Sequence, residues 1–85
     1  MITSSDIKKI IEKKVPTSKR ISVWDILAIV EDNFALNGED WTPHPSELRR
    51  GSTYPSWKRK VQAVLHTMKL NGLVTHFEHS NEYVF

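Results

Sequence analysis

Between Thr53 and Leu73, the apolar residues Trp57, Val61, Val64, Leu65 and Met68 recur at helical spacing and form one stripe; Arg59, Gln62, His66 and Lys69 fall opposite it, with Lys58 at its edge. Pro55 and Ser56 suit a helix start, because proline's missing donor costs nothing in the first turn and a serine hydroxyl can accept an orphan amide; Asn71-Gly72 suits the stop. The pattern predicts one amphipathic helix with a core face and an outward face. Upstream, Ile7, Ile10, Ile11 and Val15 line one side of a first helix capped by Ser4 or Ser5, Lys8, Lys9 and Lys13 line the other, and Pro16 ends it. Ser22 followed by Asp25 makes a capping-box-like start to a second helix, which runs to about Ala35. Val23, Ile26, Leu27, Val30 and Phe34 form its main stripe, and Trp24 and Ile29 lie off it, so this helix is expected to be covered on more than one side.

The remaining segments fix the order of elements. Thr17 to Ile21 has room for a turn and a stub of strand. Leu36 to Ser52 is polar and punctuated by Pro and Gly; within it Pro45 to Gly51 reads as one helical turn ended at glycine, and Trp41 is expected to plug the core. After Gly72 the period changes to that of strands, over Leu73 to Phe77 and Glu82 to Phe85, with the turn at His79-Ser80-Asn81. Helix, short strand, helix, loop, helix, hairpin is the order of an α+β winged helix-turn-helix domain: three helices with a C-terminal β-hairpin wing, the last helix entering the major groove.

Composition narrows the classes. Eighty-five residues make one domain, residues 1–85, with a small core. The absence of cysteine excludes disulfides, thiolate zinc sites and thiol nucleophiles, and fits a reducing cytoplasm. No apolar run approaches a membrane span and the N-terminus reads as a capped helix, so a cytoplasmic protein without a membrane partner is expected. The net charge of +2 conceals segregation: residues 1–22 carry +4, residues 23–48 carry −6 with no lysine or arginine, residues 49–72 carry +6, and Glu78 and Glu82 give the tail −2. Such segregation lets one surface attract a polyanion while another repels it.

The outward face of the last helix holds side chains suited to double-stranded DNA. Arginine can pair two donors with a guanine edge, glutamine can pair with adenine, and lysine neutralises phosphate. The candidate contacts there are Lys58, Arg59, Gln62, His66 and Lys69, joined by Arg49 and Arg50 just ahead of the helix and by Lys19 and Arg20 in the strand stub. Asp25, Glu31 and Asp32 would repel a phosphate backbone, so the second helix is expected to support the reader helix without touching DNA. Catalysis is not expected: those three carboxylates read as a solvated face, and no phosphate loop or nucleophile elbow occurs. His76, Glu78 and His79 on one hairpin without a thiolate make a poor metal site, and no cofactor is expected.

The run Ser56-Trp57-Lys58-Arg59-Lys60-Val61, then Val64-Leu65, Met68-Lys69 and Asn71-Gly72-Leu73-Val74, resembles the N-terminal winged-helix domain of Mrr-type restriction endonucleases, and is similar to the winged-helix domains of adenine-methylation-dependent restriction enzymes. The resemblance is best over Thr53 to Phe85. It implies that Trp57, Val61, Leu65 and Leu73 are core and that Lys58, Arg59, Gln62 and His66 face DNA. It further implies a specificity module of a restriction system, or a small DNA-binding regulator. Two departures stand out: the wing carries His76, Glu78, His79 and Glu82 but no lysine or arginine, and the sequence stops at Phe85 where such enzymes continue into a nuclease domain. The alternative expectation is a protein-interaction module that docks through the acidic middle and the acidic wing.

Overall fold

A computed structural model describes all of residues 1–85. The fold is α+β, with five helices and one three-stranded antiparallel sheet: α1 Ser4–Lys14, β1 Arg20–Ser22, α2 Val23–Asp32, α3 Gly38–Trp41, α4 Pro45–Arg49, α5 Ser56–Leu70, β2 Thr75–Phe77 and β3 Glu82–Val84. The three long helices and the hairpin are those expected from the pattern. The polar stretch between α2 and α5, read above as a loop with one helical turn, contains two short helices.

Each boundary has a local cause. Thr3, rather than Ser4 or Ser5, caps α1: its hydroxyl accepts the Asp6 amide at 3.1 Å, and the Asp6 carboxylate accepts the Thr3 amide at 2.9 Å. Those Thr3 donors hold the Asp6 carboxyl below its ordinary value. Ser22 caps α2 as expected, but the helix stops at Asp32 rather than Ala35, with Asn33 as its C-cap. Asn37 and Asp40 form a second reciprocal capping box that starts α3. Both α4 and α5 end in a left-handed glycine: Gly51 has φ 75° and Gly72 has φ 73°. Behind each, the next residue reaches back, Ser52 N–H to the Glu47 carbonyl and Leu73 N–H to the Met68 carbonyl, both at 2.9 Å. A Cβ would strain both positions.

The sheet order is β1-β3-β2, with β3 central. Ile21, Tyr83 and His76 lie abreast across it, and His76 stacks on Tyr83 with ring centroids 4.3 Å apart. Burial pushes the Tyr83 hydroxyl pKa up.

One core joins α1, α2 and α5 to the sheet. Trp57, Val61, Leu65, Ile26 and Val30 are all within it, as the stripes predict, together with Ile7, Ile11, Val64 and Met68. Three apolar placements differ from expectation. Leu73 is 53% exposed and Val74 takes the inward position instead, because the left-handed turn at Gly72 sends the first residue after it outward. Trp24 is 67% exposed, whereas Ile29, also off the main stripe, is half-buried against the core, so the side of α2 that carries Trp24 is left open. Trp41 packs edge-on against Trp57 at 5.5 Å but remains 42% exposed, so it closes the core from outside without entering it.

The N-terminal segment is strapped to this core. Ile2 is fully buried; its amide donates to Oδ1 of the buried Asp40 at 3.0 Å, and its carbonyl accepts from Lys60 Nζ at 2.8 Å. Lys60, on α5, is therefore a structural lysine. Lys60→Ala is expected to lower stability by about 1 kcal/mol, the usual net worth of such a bond, measured by urea denaturation of the two proteins side by side. No helix is long and apolar enough to cross a membrane.

Candidate nucleic-acid interface

The start of α5 is built by the segment that precedes it. Pro55 is the N-cap and supplies no side-chain hydrogen bond. Ser56, expected to accept an orphan amide, instead donates its hydroxyl toward the backbone carbonyls of Glu39 at 3.1 Å and Asp40 at 2.9 Å, which ties α3 to α5. The Ser56 amide reaches the Thr42 carbonyl at 3.2 Å. With no side-chain cap, the first turn keeps orphan N–H groups and the positive end of the helix dipole.

α4 is tied to that first turn through side chains. His44 caps α4, its Nδ1 accepting the Ser46 amide at 3.2 Å and lying 2.9 Å from the Ser46 hydroxyl. The Ser46 oxygen in turn accepts from an Arg59 guanidinium nitrogen at 2.9 Å. Arg59, Ser46 and His44 thus form a chain that fixes one arm of the arginine fork and leaves its other donors free. His44, Ser56, Arg59, Lys60 and Ala63 line an open depression of about 240 Å³ at this end of the helix.

Of the candidate contacts, Lys58, Arg59, Gln62 and His66 fall along the outward side of α5. Arg59 and His66 are exposed, and Lys58 and Gln62 are half-buried. Gln62 is oriented by Tyr54: its amide nitrogen donates to the tyrosine hydroxyl at 3.3 Å, which leaves the amide oxygen and one N–H unused. Lys58 Nζ sits 5.7 Å from the centroid of the adjacent Trp57 ring.

Five other candidates lie away from that surface or are paired. Lys69 meets Glu78 of the hairpin at 3.5 Å, and Arg20 meets Glu82 at 3.3 Å while its guanidinium lies 4.0 Å above the Phe77 ring. Arg50 is paired with Glu47. Arg49 and Lys19 are exposed and without an ion-pair partner, Arg49 at the end of α4 and Lys19 before β1.

The acidic residues are correspondingly less of a surface than the sequence implied. Asp40 is fully buried, Glu47 is 9% exposed, and both hairpin carboxylates, Glu78 and Glu82, face a cation of the same chain. The Glu47 carboxyl is held below its ordinary value, first by the Ser52 hydroxyl and then by Arg50 and Arg59, against a smaller opposing effect of burial than of the Ser52 bond. Asp25, Glu31, Asp32 and Glu39 are the exposed acids of the middle region. No group of three or more His, Asp or Glu side chains is placed to hold a metal ion; on the hairpin, His76 Nε2 is 3.0 Å from the Asn81 side-chain oxygen.

His44, Ser46 and Tyr54 were not anticipated as parts of this surface. The run His44-Pro45-Ser46-Glu47 does carry a helix-start signal, with proline in the first turn. Nothing in the sequence pairs Ser46 with Arg59 or Tyr54 with Gln62, because those contacts depend on where the Pro45 to Pro55 stretch runs beside α5. Comparison with known families, characterised proteins and solved structures finds no match to this chain.

Proposed function

We propose that this chain is a double-stranded DNA-binding winged helix-turn-helix module in which α5 enters the major groove and the β2–β3 hairpin is the wing. The observation that carries the reading is the first half of α5. There a helix start without a side-chain cap coincides with an exposed Arg59 anchored on one arm only, a Gln62 amide oriented by Tyr54, and Lys58; His66 follows farther along the helix. Anchoring by a second residue reduces the freedom that a base-reading side chain must lose on binding. Arg49 and Lys19 are the phosphate contacts at the periphery. The wing contributes little grip, since its carboxylates already occupy Lys69 and Arg20.

On this reading the module recognises DNA and does not cut it. Its place is the specificity domain of a restriction system or a small cytoplasmic regulator, as the resemblance of Ser56 to Val74 suggests. The competing docking role draws less support, because two of the six acids in the middle region are internal. Fluorescence anisotropy with a random-sequence duplex at two salt concentrations tests the reading. Binding should weaken with salt on a logarithmic slope of roughly −0.9 for each phosphate neutralised. No binding at low salt would overturn the DNA role.

A further inference from the structure

On α5, Arg59, Ala63, His66 and Leu70 follow one another at the i, i+4, i+7, i+11 spacing of a single helical line, and all four are exposed. The line lies opposite the core stripe of Trp57, Val61, Val64, Leu65 and Met68, so it is the outermost part of the helix. The lysines of α5 fall to its sides, Lys58 and Lys69 together with Gln62 on one and Lys60 on the other. A surface made for phosphate alone would carry lysine on the line itself. Instead its members alternate between hydrogen-bonding and apolar side chains, and Leu70, at 71% exposure, is the most exposed large hydrophobic residue of the chain.

Ala63 also borders the open depression of about 240 Å³ that it shares with His44, Ser56, Arg59 and Lys60. Two of the polar groups there are turned to the protein: the Ser56 hydroxyl donates toward the Glu39 and Asp40 carbonyls, and Lys60 Nζ donates to the Ile2 carbonyl. Most of the surface left in the depression is carbon, so it suits a small apolar group lying beside the acceptors that Arg59 pairs with. In the major groove that group is the C5-methyl of a pyrimidine, carried by thymine in unmodified DNA, and alanine is one of the side chains that contact it. Ala63 stands one turn beyond Arg59, about 6 Å along the helix axis, and successive base pairs are about 3.4 Å apart. On the DNA role proposed above, we infer that Ala63 is a specificity-determining residue: it reads a pyrimidine C5-methyl about one or two base pairs from the base that Arg59 contacts.

The test uses a duplex that wild-type protein selects from a randomised pool, with binding read by anisotropy. Each thymine is replaced in turn by deoxyuridine, which removes only the methyl, and each cytosine by 5-methylcytosine, which adds it. Deoxyuridine at one thymine position should weaken binding about fourfold, the worth of one buried methyl. A similar gain at one cytosine position would instead make 5-methylcytosine the source of the group. In either case Ala63→Gly, which removes the contact, and Ala63→Gln, which fills the depression, should bind the methylated and unmethylated duplexes alike. Arg59→Ala should keep the preference for the methyl. Circular dichroism verifies folding, and Ala63→Gln, a good helix former at an exposed position, decides the matter even if the glycine variant frays the helix. Salt-dependent binding to random duplex with no position sensitive to a methyl overturns the inference and leaves the DNA role standing, as does a folded Ala63→Gln with the wild-type preference. No binding to any duplex at low salt overturns both.

Discussion

Replacing Trp57 with alanine is expected to destabilise the domain by about 3–5 kcal/mol, the range for truncating a buried aromatic. Trp57 is the largest fully buried side chain, it sits at the first turn of α5, and it carries Trp41 edge-on at 5.5 Å. Its loss opens a cavity where α3, α5 and the N-terminal strap meet. Domains of this kind have total stabilities of about 5–15 kcal/mol, so the variant should melt far below wild type or fail to fold. Trp57→Phe makes the test sharper. The indole Nε1 is buried with no hydrogen-bond partner, and an unmade bond of that sort costs about 1–3 kcal/mol. Phenylalanine gives up volume but removes that orphan donor, so it should be much milder than alanine in urea or thermal denaturation. Equal melting temperatures for wild type and Trp57→Ala would show that the indole contributes nothing to the core.

The stripe containing Trp57 was legible because five apolar residues at helical spacing can point to one side only, and because Gly72 and Gly51 need the left-handed backbone that ends a helix. The short helix α3 was legible too, since Asn37 and Asp40 carry the same spacing that marks the start of α2 at Ser22 and Asp25. Four residues are nevertheless too few to show a hydrophobic period, so the stretch reads as loop. Leu73 and Val74 show a different limit: two adjacent apolar residues leave the phase of a strand undetermined, and the geometry of the preceding turn chooses between them. At the candidate site, the outward placement of Arg59 and His66 followed from periodicity. The pairing of Lys69 with Glu78 and of Arg20 with Glu82 did not, because these contacts join residues that only the hairpin brings together. Arg50, expected as a DNA contact, is paired instead with Glu47, three residues before it on one helical turn.

These pairings change what each basic residue should do on DNA. Arg59→Ala is expected to cost roughly 1–3 kcal/mol on a specific site, the range for losing a bidentate base contact, because the N-terminal end of a reader helix is the end that approaches base edges. On random duplex its effect should be much smaller. Lys69→Ala should weaken binding evenly across sequences and lower the salt slope by about 1, as for the loss of one phosphate contact. Lys69 reaches a phosphate only by leaving Glu78, whose side chain is 78% exposed. Glu78→Gln should therefore tighten binding to random duplex, most clearly at low salt where the competing carboxylate is least screened. It should leave the sequence preference unchanged, because neither partner touches a base. Ser46→Ala should mimic a mild Arg59→Ala, since it frees the arm that Ser46 holds at 2.9 Å without removing the fork. Anisotropy titrations of the four variants on selected and random duplexes separate these outcomes. If Arg59→Ala falls equally on both duplexes, Arg59 is a phosphate contact and base reading rests on Gln62. If Glu78→Gln weakens binding, the wing carboxylate is not competing for Lys69, and the hairpin takes part in DNA contact itself.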